Sequence, residues 1–231
     1  NHMPSSASVP FAGHSRAVGI QRLQLSTTLP FRKRCWQAVA QAKIRNQAEC
    51  LRLLGRAGAD RIEALADEVA SGDTGNVESR AAREYFRYLF GPSFARGEED
   101  GVNSALNYGY AVIRAAVARA LAASGFILTQ GIHHCSELNP FNLADDFMEP
   151  LRPVADLLAA SFSPPPEALE KEHRERLAAV LGCEVGVDGE AQSILRGTEL
   201  MAGSFGSACK AGDPKLLKLP GLLPLQEHAY E

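Results

Sequence analysis

The sequence predicts a mainly α-helical domain that follows a short segment containing a strand end and a turn. Apolar residues from Pro30 onward recur at intervals of three and four, as on one face of an amphipathic helix. Glycine and proline divide this pattern into segments of helical length. With 231 residues, of which 45% are apolar, the chain is long enough to bury one sizeable core.

The domain boundary is predicted between residues 28 and 29. Residues 1–28 are set apart because residues 9–16 (VPFAGHSR) are typical of a strand end and a turn. Residues 29–231 are assigned to the helical domain. Five helices are predicted in its first part, at 30–54, 61–70, 77–90, 103–124 and 141–160.

The later part of the domain has weaker signals. Pro150 and Pro153 fall inside the fifth predicted helix and are expected to kink or break it. The alanines of the fourth indicate close helix packing. Two or three weaker helices are predicted over 167–208, and the proline-containing tail is expected to be extended on the surface.

Basic residues are concentrated in one part of the chain. The formal net charge is -3, but eight basic and only two acidic residues lie between Arg32 and Arg61. Such asymmetry can mark a face that binds a polyanion such as nucleic acid. It is also compatible with an ordinary solvated helix, since arginine is a good helix former.

The cysteine count and the apolar runs bound the cellular setting. The five cysteines are odd in number and no two have CxxC spacing, which argues against a disulfide framework or a zinc knuckle and favours a reduced cytoplasm. No apolar run has the length of a membrane span, and no signal-peptide pattern opens the chain. A cytoplasmic protein without membrane partners is therefore expected.

Three residues are the candidates for chemistry: Glu78, His134 and Glu149. Two carboxylates and an imidazole suit a hard divalent ion, where the imidazole favours Mn²⁺ and cellular supply favours Mg²⁺. Each has a structural alternative. Glu78 falls in the first turn of a predicted helix, where acidic residues complement the helix dipole. A loop histidine such as His134 often serves only as a hydrogen-bonding group.

Glu149 belongs to a cluster of three carboxylates within five residues, with Asp145 and Asp146. Asp146 and Glu149 are three residues apart and so lie on nearly the same helix face. Beside apolar side chains such a cluster is costly unless it faces solvent, a cation or a basic partner.

Five blocks, in order, resemble the CRISPR-associated spacer integrase family, the catalytic subunit of CRISPR adaptation. They are WQ with AKIRNQA within 36–48, GNVESRAAREYF at 75–86, VNSALNYGY at 102–110, GIHH at 131–134 and NPFNLADDFMEPLRP at 139–153. The last block and GHSR at 13–16 most resemble members from type II systems. The family begins with a β-rich domain, most of which the resemblance does not find here. The resemblance therefore implies that residues 1–28 are the end of that β-rich N-terminal domain and a linker, and that residues 29–231 are the helical, metal-dependent catalytic domain.

The resemblance implies a site. Glu78, His134 and Glu149 match the family's three metal ligands for Mg²⁺ or Mn²⁺, with His133 as the rival imidazole. His134 is preferred because the ligand follows the motif glycine by three positions. Asp146 matches a nearby acidic position that supports the ligands.

The resemblance also implies a reaction and partners. A 3′-hydroxyl of a short double-stranded DNA, the spacer precursor, attacks a phosphodiester at the repeat of a CRISPR array. The family works as homodimers, two of which are bridged by a dimer of a small adaptation partner protein.

Candidate DNA-contacting residues follow from the basic stretch and from the first turns after Glu78: Arg32, Lys33, Arg34, Lys43, Arg45, Arg80 and Arg83. Replacing Lys43 and Arg45 by alanine is expected to weaken DNA binding and flatten its salt dependence. Two other functions stay open. One is a metal-dependent phosphoester hydrolase with a closed apolar pocket, and the other is a non-catalytic helical DNA-binding module.

Overall fold

The computed structural model describes residues 17–229, which form nine α-helices and one three-stranded sheet. The first five helices are α1 (Ala17–Leu25), α2 (Leu29–Leu53), α3 (Ala59–Glu68), α4 (Val77–Phe90) and α5 (Gly101–Ala123). Next come α6 (Asn142–Met148), a 3-10 turn (Glu149–Leu151), α7 (Arg152–Ala160) and α8 (Lys171–Ala178). A 3-10 turn (Ala179–Gly182), β1 (Cys183–Val187), β2 (Glu190–Ser193), α9 (Ile194–Ala211), a 3-10 turn (Pro214–Leu216) and β3 (Gly221–Glu227) complete it.

Helix α2 is the element around which the site is built. It is capped by Thr28, the residue before its first, whose hydroxyl accepts the backbone N–H of Phe31. Pro30 lies in the first turn, where a missing N–H costs nothing. Its apolar stripe is buried, with Trp36, Val39 and other positions packed against α3, α4, α7 and β3. The mainly α class predicted from the sequence is confirmed.

Helix α5 packs as closely as its small residues predict. A Cβ added to Gly109 would lie 2.8 Å from the Cβ of Ala155 in α7, so only glycine allows the two helices to approach this far. Although α5 has 23 residues, it is a core helix. No helix within residues 17–229 is long and apolar enough to cross a membrane.

The segment between α8 and α9 differs from its prediction. Part of the range assigned to weak helices forms the hairpin of β1 and β2, so the helical assignment of 183–193 is wrong. Asp188 and Gly189 form its two-residue turn with φ values of 58° and 86°, a backbone that aspartate-glycine pairs favour. Local apolar spacing was too irregular to reveal the strands, whereas this pair was a usable signal.

The C-terminal tail is extended, as expected, but it is not only a surface segment. Strand β3 pairs antiparallel with β1, giving the order β2-β1-β3, and Leu222 is buried. Buried Asn46 of α2 donates to the Pro220 carbonyl (2.9 Å) and accepts the Leu222 N–H (3.0 Å). One amide thus attaches the tail to the central helix.

Other boundaries follow the sequence closely. Helix α4 has the predicted bounds, and the predicted helix over 141–160 is broken by the 3-10 turn that contains Pro150. The strand end predicted at 9–16 lies outside the described residues. Residues 17–25 of the same segment are helical, and the assignment of residues 1–28 to a β-domain stays a prediction.

Asp156 joins three helices in the core. This fully buried residue of α7 accepts hydrogen bonds from Tyr85 of α4 (3.1 Å) and from Tyr110 of α5. Burial raises the pKa of Asp156 to about 6, and hydroxyl donation by the two tyrosines offsets only part of that effect.

We expect Asp156→Asn to remove a pH dependence of stability between about pH 4 and pH 6. The folded protein keeps the Asp156 proton in this window while the unfolded chain has lost it, because the pKa rises from 3.8 to about 6. The free energy of unfolding of wild type should therefore fall by about 3 kcal/mol relative to that of the variant as pH rises through the window. Chemical denaturation across pH measures this difference.

Asp67→Asn is the matched control, since the Asp67 side chain is 83% exposed. The difference in free energy of unfolding between this variant and wild type should stay nearly constant with pH. A constant difference for Asp156→Asn as well would contradict a raised pKa in the fold.

Candidate active site

One ammonium group lies between two of the three candidate ligands. The Nζ of Lys43, in the middle of α2, contacts Oε1 of Glu78 and Oε2 of Glu149. The Lys43 side chain is only 10% exposed. Burial acts to lower the pKa of Lys43, but the carboxylates of Glu149 and Glu78 outweigh it and raise the pKa above its usual value. Lys43 is therefore charged at neutral pH.

Glu78 is positioned by the start of α4. Asp73, five residues before it, accepts the backbone N–H groups of Val77 (2.8 Å) and Glu78 (3.0 Å) with its two carboxylate oxygens. These bonds satisfy donors that the first turn of a helix leaves without partners. Because Asp73 takes this role, the Glu78 side chain is not needed as a cap and turns towards Lys43.

Glu149 is positioned by the break between α6 and α7. The 3-10 turn at Pro150 is held to α2 because Asn46 donates to the Pro150 carbonyl (2.7 Å). Arg152 Nε lies 2.9 Å from Oε1 of Glu149, and its guanidinium lies over the Tyr110 ring. Burial would raise the pKa of Glu149, but Arg152 and Lys43 outweigh that effect and lower it. Glu149 is thus buried and ionised.

His134 is positioned by Asp146. This fully buried carboxylate accepts the backbone N–H groups of Ile132 (2.6 Å), His133 (3.2 Å) and His134 (3.0 Å), and it lies 2.7 Å from Nδ1 of the His134 ring. The hydrogen bond to Asp146 raises the pKa of His134. An Nδ1–H donated to Asp146 leaves Nε2 as the nitrogen that can bind an ion.

Gly131 makes this loop possible. A Cβ at this position would lie 2.2 Å from the His134 carbonyl oxygen and 2.7 Å from Oδ2 of Asp146. The first atom is backbone, and the second belongs to a fully buried carboxylate that accepts three N–H groups, so any side chain here would displace the loop.

His133, the rival imidazole, lies against Trp36 of α2. The two rings are stacked at 4.0 Å with a 2° interplanar angle, and Trp36 also meets His134 edge-on at 5.7 Å. Burial lowers the pKa of His133. The charge of Glu149 helps to raise the pKa of His134, and the charge of Glu78 opposes the lowering of the pKa of His133. The Asp146 contact favours His134 as the ligand, because metal-bound imidazoles are usually oriented by such a partner.

The cluster of Asp145, Asp146 and Glu149 has the compensating partners that buried carboxylates need. Arg114 of α5 pairs with Asp145 (2.6 Å), while Asp146 is held by N–H groups and Glu149 by Lys43 and Arg152. A cavity of about 250 Å³ adjoins the cluster. It is lined by Asn107, Tyr110, Ala111, Arg114, His134, Asp145, Met148 and Arg152.

The fit to a divalent ion can be judged from the charges present. Within residues 17–229, no group of three or more histidine, cysteine, aspartate or glutamate side chains is arranged to hold a metal ion. Glu78 and Glu149 nevertheless already converge on one cation, the Lys43 ammonium. Carboxylate oxygens and an imidazole are donor types that suit Mg²⁺ or Mn²⁺, so by their chemistry these residues could hold such an ion in the place of the ammonium.

The candidate DNA-contacting residues fall into different environments. Lys43 is buried, whereas Lys33 and Arg34 are exposed on the first turns of α2 and Arg32 is half-buried beside them. These last three form no ion pair with any residue of the described range. Exposed Arg45 pairs with Asp67 (3.3 Å), exposed Arg80 pairs with Glu68, and exposed Arg83 has no ion pair among the described residues.

Three residues of the site were not assigned to it from the sequence: Lys43, Trp36 and Arg152. A usable signal existed for Lys43 and for Arg152. Lys43 is seven residues after Trp36 and four after Val39, so it falls on the apolar stripe of α2, where a charge needs a partner. Arg152 follows Glu149 by three residues, a spacing at which helical side chains meet.

Nearly the whole chain is similar in sequence to known proteins. A family model described as CRISPR associated protein Cas1 matches residues 5–181. The CRISPR-associated endonuclease Cas1 of Neisseria meningitidis serogroup C (strain 8013) is 42% identical over 240 residues, 99% of this chain and 77% of that protein. The CRISPR-associated endonuclease Cas1 2 of Pyrobaculum aerophilum is 32% identical over 64% of this chain and 56% of that protein.

Solved structures share the fold at low identity. A chain of a partial Cas6-RT-Cas1–Cas2 complex has a TM-score of 0.73 and 19% identity, covering 94% of this chain and 77% of that chain. A casposase bound to integration product has a TM-score of 0.69 and 17% identity, covering 92% of this chain and 70% of that one. The family resemblance of the sequence motifs is confirmed, and the chain belongs to the Cas1 family.

Proposed function

We propose that this chain is a divalent-metal-dependent DNA integrase that inserts short double-stranded DNA into a CRISPR array. The observation that carries the proposal is the convergence of Glu78 and Glu149 on one cationic centre, with His134 oriented beside them by Asp146. The naming of a 42% identical relative as an endonuclease supports phosphodiester chemistry at this site.

In the reaction, a 3′-hydroxyl oxygen of the incoming DNA forms a bond to a phosphorus of the target strand, and the bond from that phosphorus to the 3′ oxygen of the preceding target nucleotide breaks. The attacking hydroxyl loses its proton and the released 3′ oxygen of the target strand takes one up, so one phosphodiester replaces another. Glu78, Glu149 and Nε2 of His134 would hold the Mg²⁺ or Mn²⁺. When bound, that ion supplies polarisation of the phosphodiester and activation of the hydroxyl. Asp146 keeps the His134 ring in place, and Arg152 keeps Glu149 ionised. No covalent intermediate with the protein is needed.

The surroundings of the site favour DNA over a small phosphorylated substrate. The adjoining cavity of about 250 Å³ is below the usual range for small-molecule sites, roughly 300–1,000 Å³. Its lining includes Arg114, Arg152, Asn107 and Asp145, so it is not the closed apolar pocket that a small-molecule phosphoesterase would be expected to have. A polar recess beside the candidate ligands suits one part of a longer polyanion.

The partners proposed here are double-stranded DNA, a second copy of the chain and a dimer of a small adaptation protein. Solved complexes described as Cas6-RT-Cas1–Cas2 contain chains of the same fold, which supports a small Cas-type partner. The two DNA substrates are the spacer precursor and the CRISPR repeat.

We expect Glu78→Gln, His134→Ala and Glu149→Gln each to lower strand joining by about 100-fold or more, since each removes a group that supports charge in the transition state. The assay combines the chain, the small partner protein, Mn²⁺ or Mg²⁺, a short DNA with free 3′-hydroxyls and a supercoiled CRISPR plasmid. Joined product on a gel is the measurement.

Glu84→Gln is the control on the same helix, because Glu84 pairs with Arg61 and not with Lys43. Joining by this variant should match wild type. If wild type binds DNA but joins none with metal and partner present, the integrase proposal is wrong and a non-catalytic DNA-binding module is favoured. In that reading, Lys43 only neutralises two structural carboxylates.

DNA binding should depend on Lys33 and Arg34, which are exposed and have no acidic partner within the described residues. We expect the double variant Lys33→Ala, Arg34→Ala to bind DNA more weakly at low salt. The slope of log binding constant against log salt should become less steep by about 2, near one per lost phosphate contact. Fluorescence anisotropy at several salt concentrations measures this slope.

Arg52→Ala is the matched control on α2. Its guanidinium already pairs with Glu49 (3.4 Å), Asp60 (3.1 Å) and Glu63, so its loss should leave the slope unchanged. If Arg52→Ala changed the slope as much as the Lys33→Ala, Arg34→Ala variant does, the start of α2 would contact DNA no more than its end, and the prediction would be wrong.

A further inference from the structure

We propose that Lys43 is a tethered counter-ion, which takes the cation position between Glu78 and Glu149 and has to leave it for a divalent ion to bind. Metal loading and release of the lysine side chain are then one coupled event. The inference rests on the proposed function, because it takes the two carboxylates to be metal ligands.

The contacts of the ammonium are the first support. Its Nζ meets one oxygen of Glu78 and one oxygen of Glu149, so it uses the inward-facing atoms of both carboxylates. A divalent ion held by the same two residues needs oxygens that face the same point. The ammonium and the ion therefore compete for one position.

The charge balance is the second support. Glu78 and Glu149 are countered by Lys43 and by Arg152, so this largely buried group of four is neutral. Adding a divalent ion with Lys43 still in place would give it two excess positive charges where water is scarce. Buried charge without compensation is costly, and withdrawal of the ammonium removes half of the excess.

Lys43 is the cation that can move. Arg152 is fixed on two sides, by Oε1 of Glu149 at 2.9 Å and by the Tyr110 ring at 4.6 Å. The lysine has a flexible four-carbon stem and a compact head. The way out lies towards Glu78 and His134, whose side chains are 19% and 40% exposed. A released ammonium would thus move towards the exposed side of the site.

The test is Mn²⁺ binding by the full chain, followed by loss of the electron paramagnetic resonance signal of free Mn²⁺. We expect Lys43→Met, which keeps most of the stem but removes the charge, to lower the Kd for Mn²⁺ about tenfold, a shift set by removal of the competing cation. The metal-free variant should melt at a lower temperature than wild type, with a larger rise on adding Mn²⁺. Lys171→Met, at an 84% exposed side chain, should match wild type.

A second measurement uses wild type and does not depend on the variant folding. An amine-acylating reagent with mass spectrometry should label Lys43 slowly without metal and several times faster with Mn²⁺. Lys171 is the internal control and should be labelled equally in both.

The outcomes separate this inference from the proposed function. If wild type binds Mn²⁺, Glu78→Gln abolishes binding and Lys43→Met binds no more tightly, the inference is overturned and the metal site stands. Unchanged labelling of Lys43 on Mn²⁺ binding would overturn it in the same way. If neither wild type nor Lys43→Met binds Mn²⁺, both the inference and the metal-dependent function fail.

Discussion

Two carboxylates that are brought together away from water repel each other, and the structure depends on how the Lys43 ammonium offsets that repulsion. Glu78 and Glu149 come from α4 and from the turn after α6, which are distant in sequence. Helix α2 packs against both of these elements, so one cation on it reaches both carboxylates. The position of α2 therefore decides whether the two carboxylates can share a site.

One face of α2 organises the site through three residues. Trp36 supports the two histidines, Lys43 joins the two carboxylates, and Asn46 holds both the turn that carries Glu149 and the terminal strand. They are spaced by seven and three residues, which places them on one side of the helix. Because the strand and the turn share one buried amide, the small sheet supports the ligand geometry from outside the helical core.

The sequence was sufficient to predict the structure where the interactions that determine it are local. The bounds of α4 follow from its apolar spacing and the glycine after it, and the break before α7 follows from Pro150. The family motifs supplied Glu78, His134 and Glu149 as candidates. Lys43 was assigned to DNA because its neighbours in sequence are basic, whereas its environment is set by residues more than thirty positions away. Pairing of β3 with β1 is equally non-local.

The run of basic residues in α2 shows why sequence charge does not equal surface charge. Lys43 is neutralised inside the site, and Arg45 and Arg52 meet acidic residues of α3. The uncompensated charge is left at the first turns of α2, where the Lys33 stem packs over Gly72, just before the Asp73 that starts α4. Attraction for a phosphate backbone is thereby concentrated beside the helix start that presents Glu78, and a polyanion held there is near the candidate ligands.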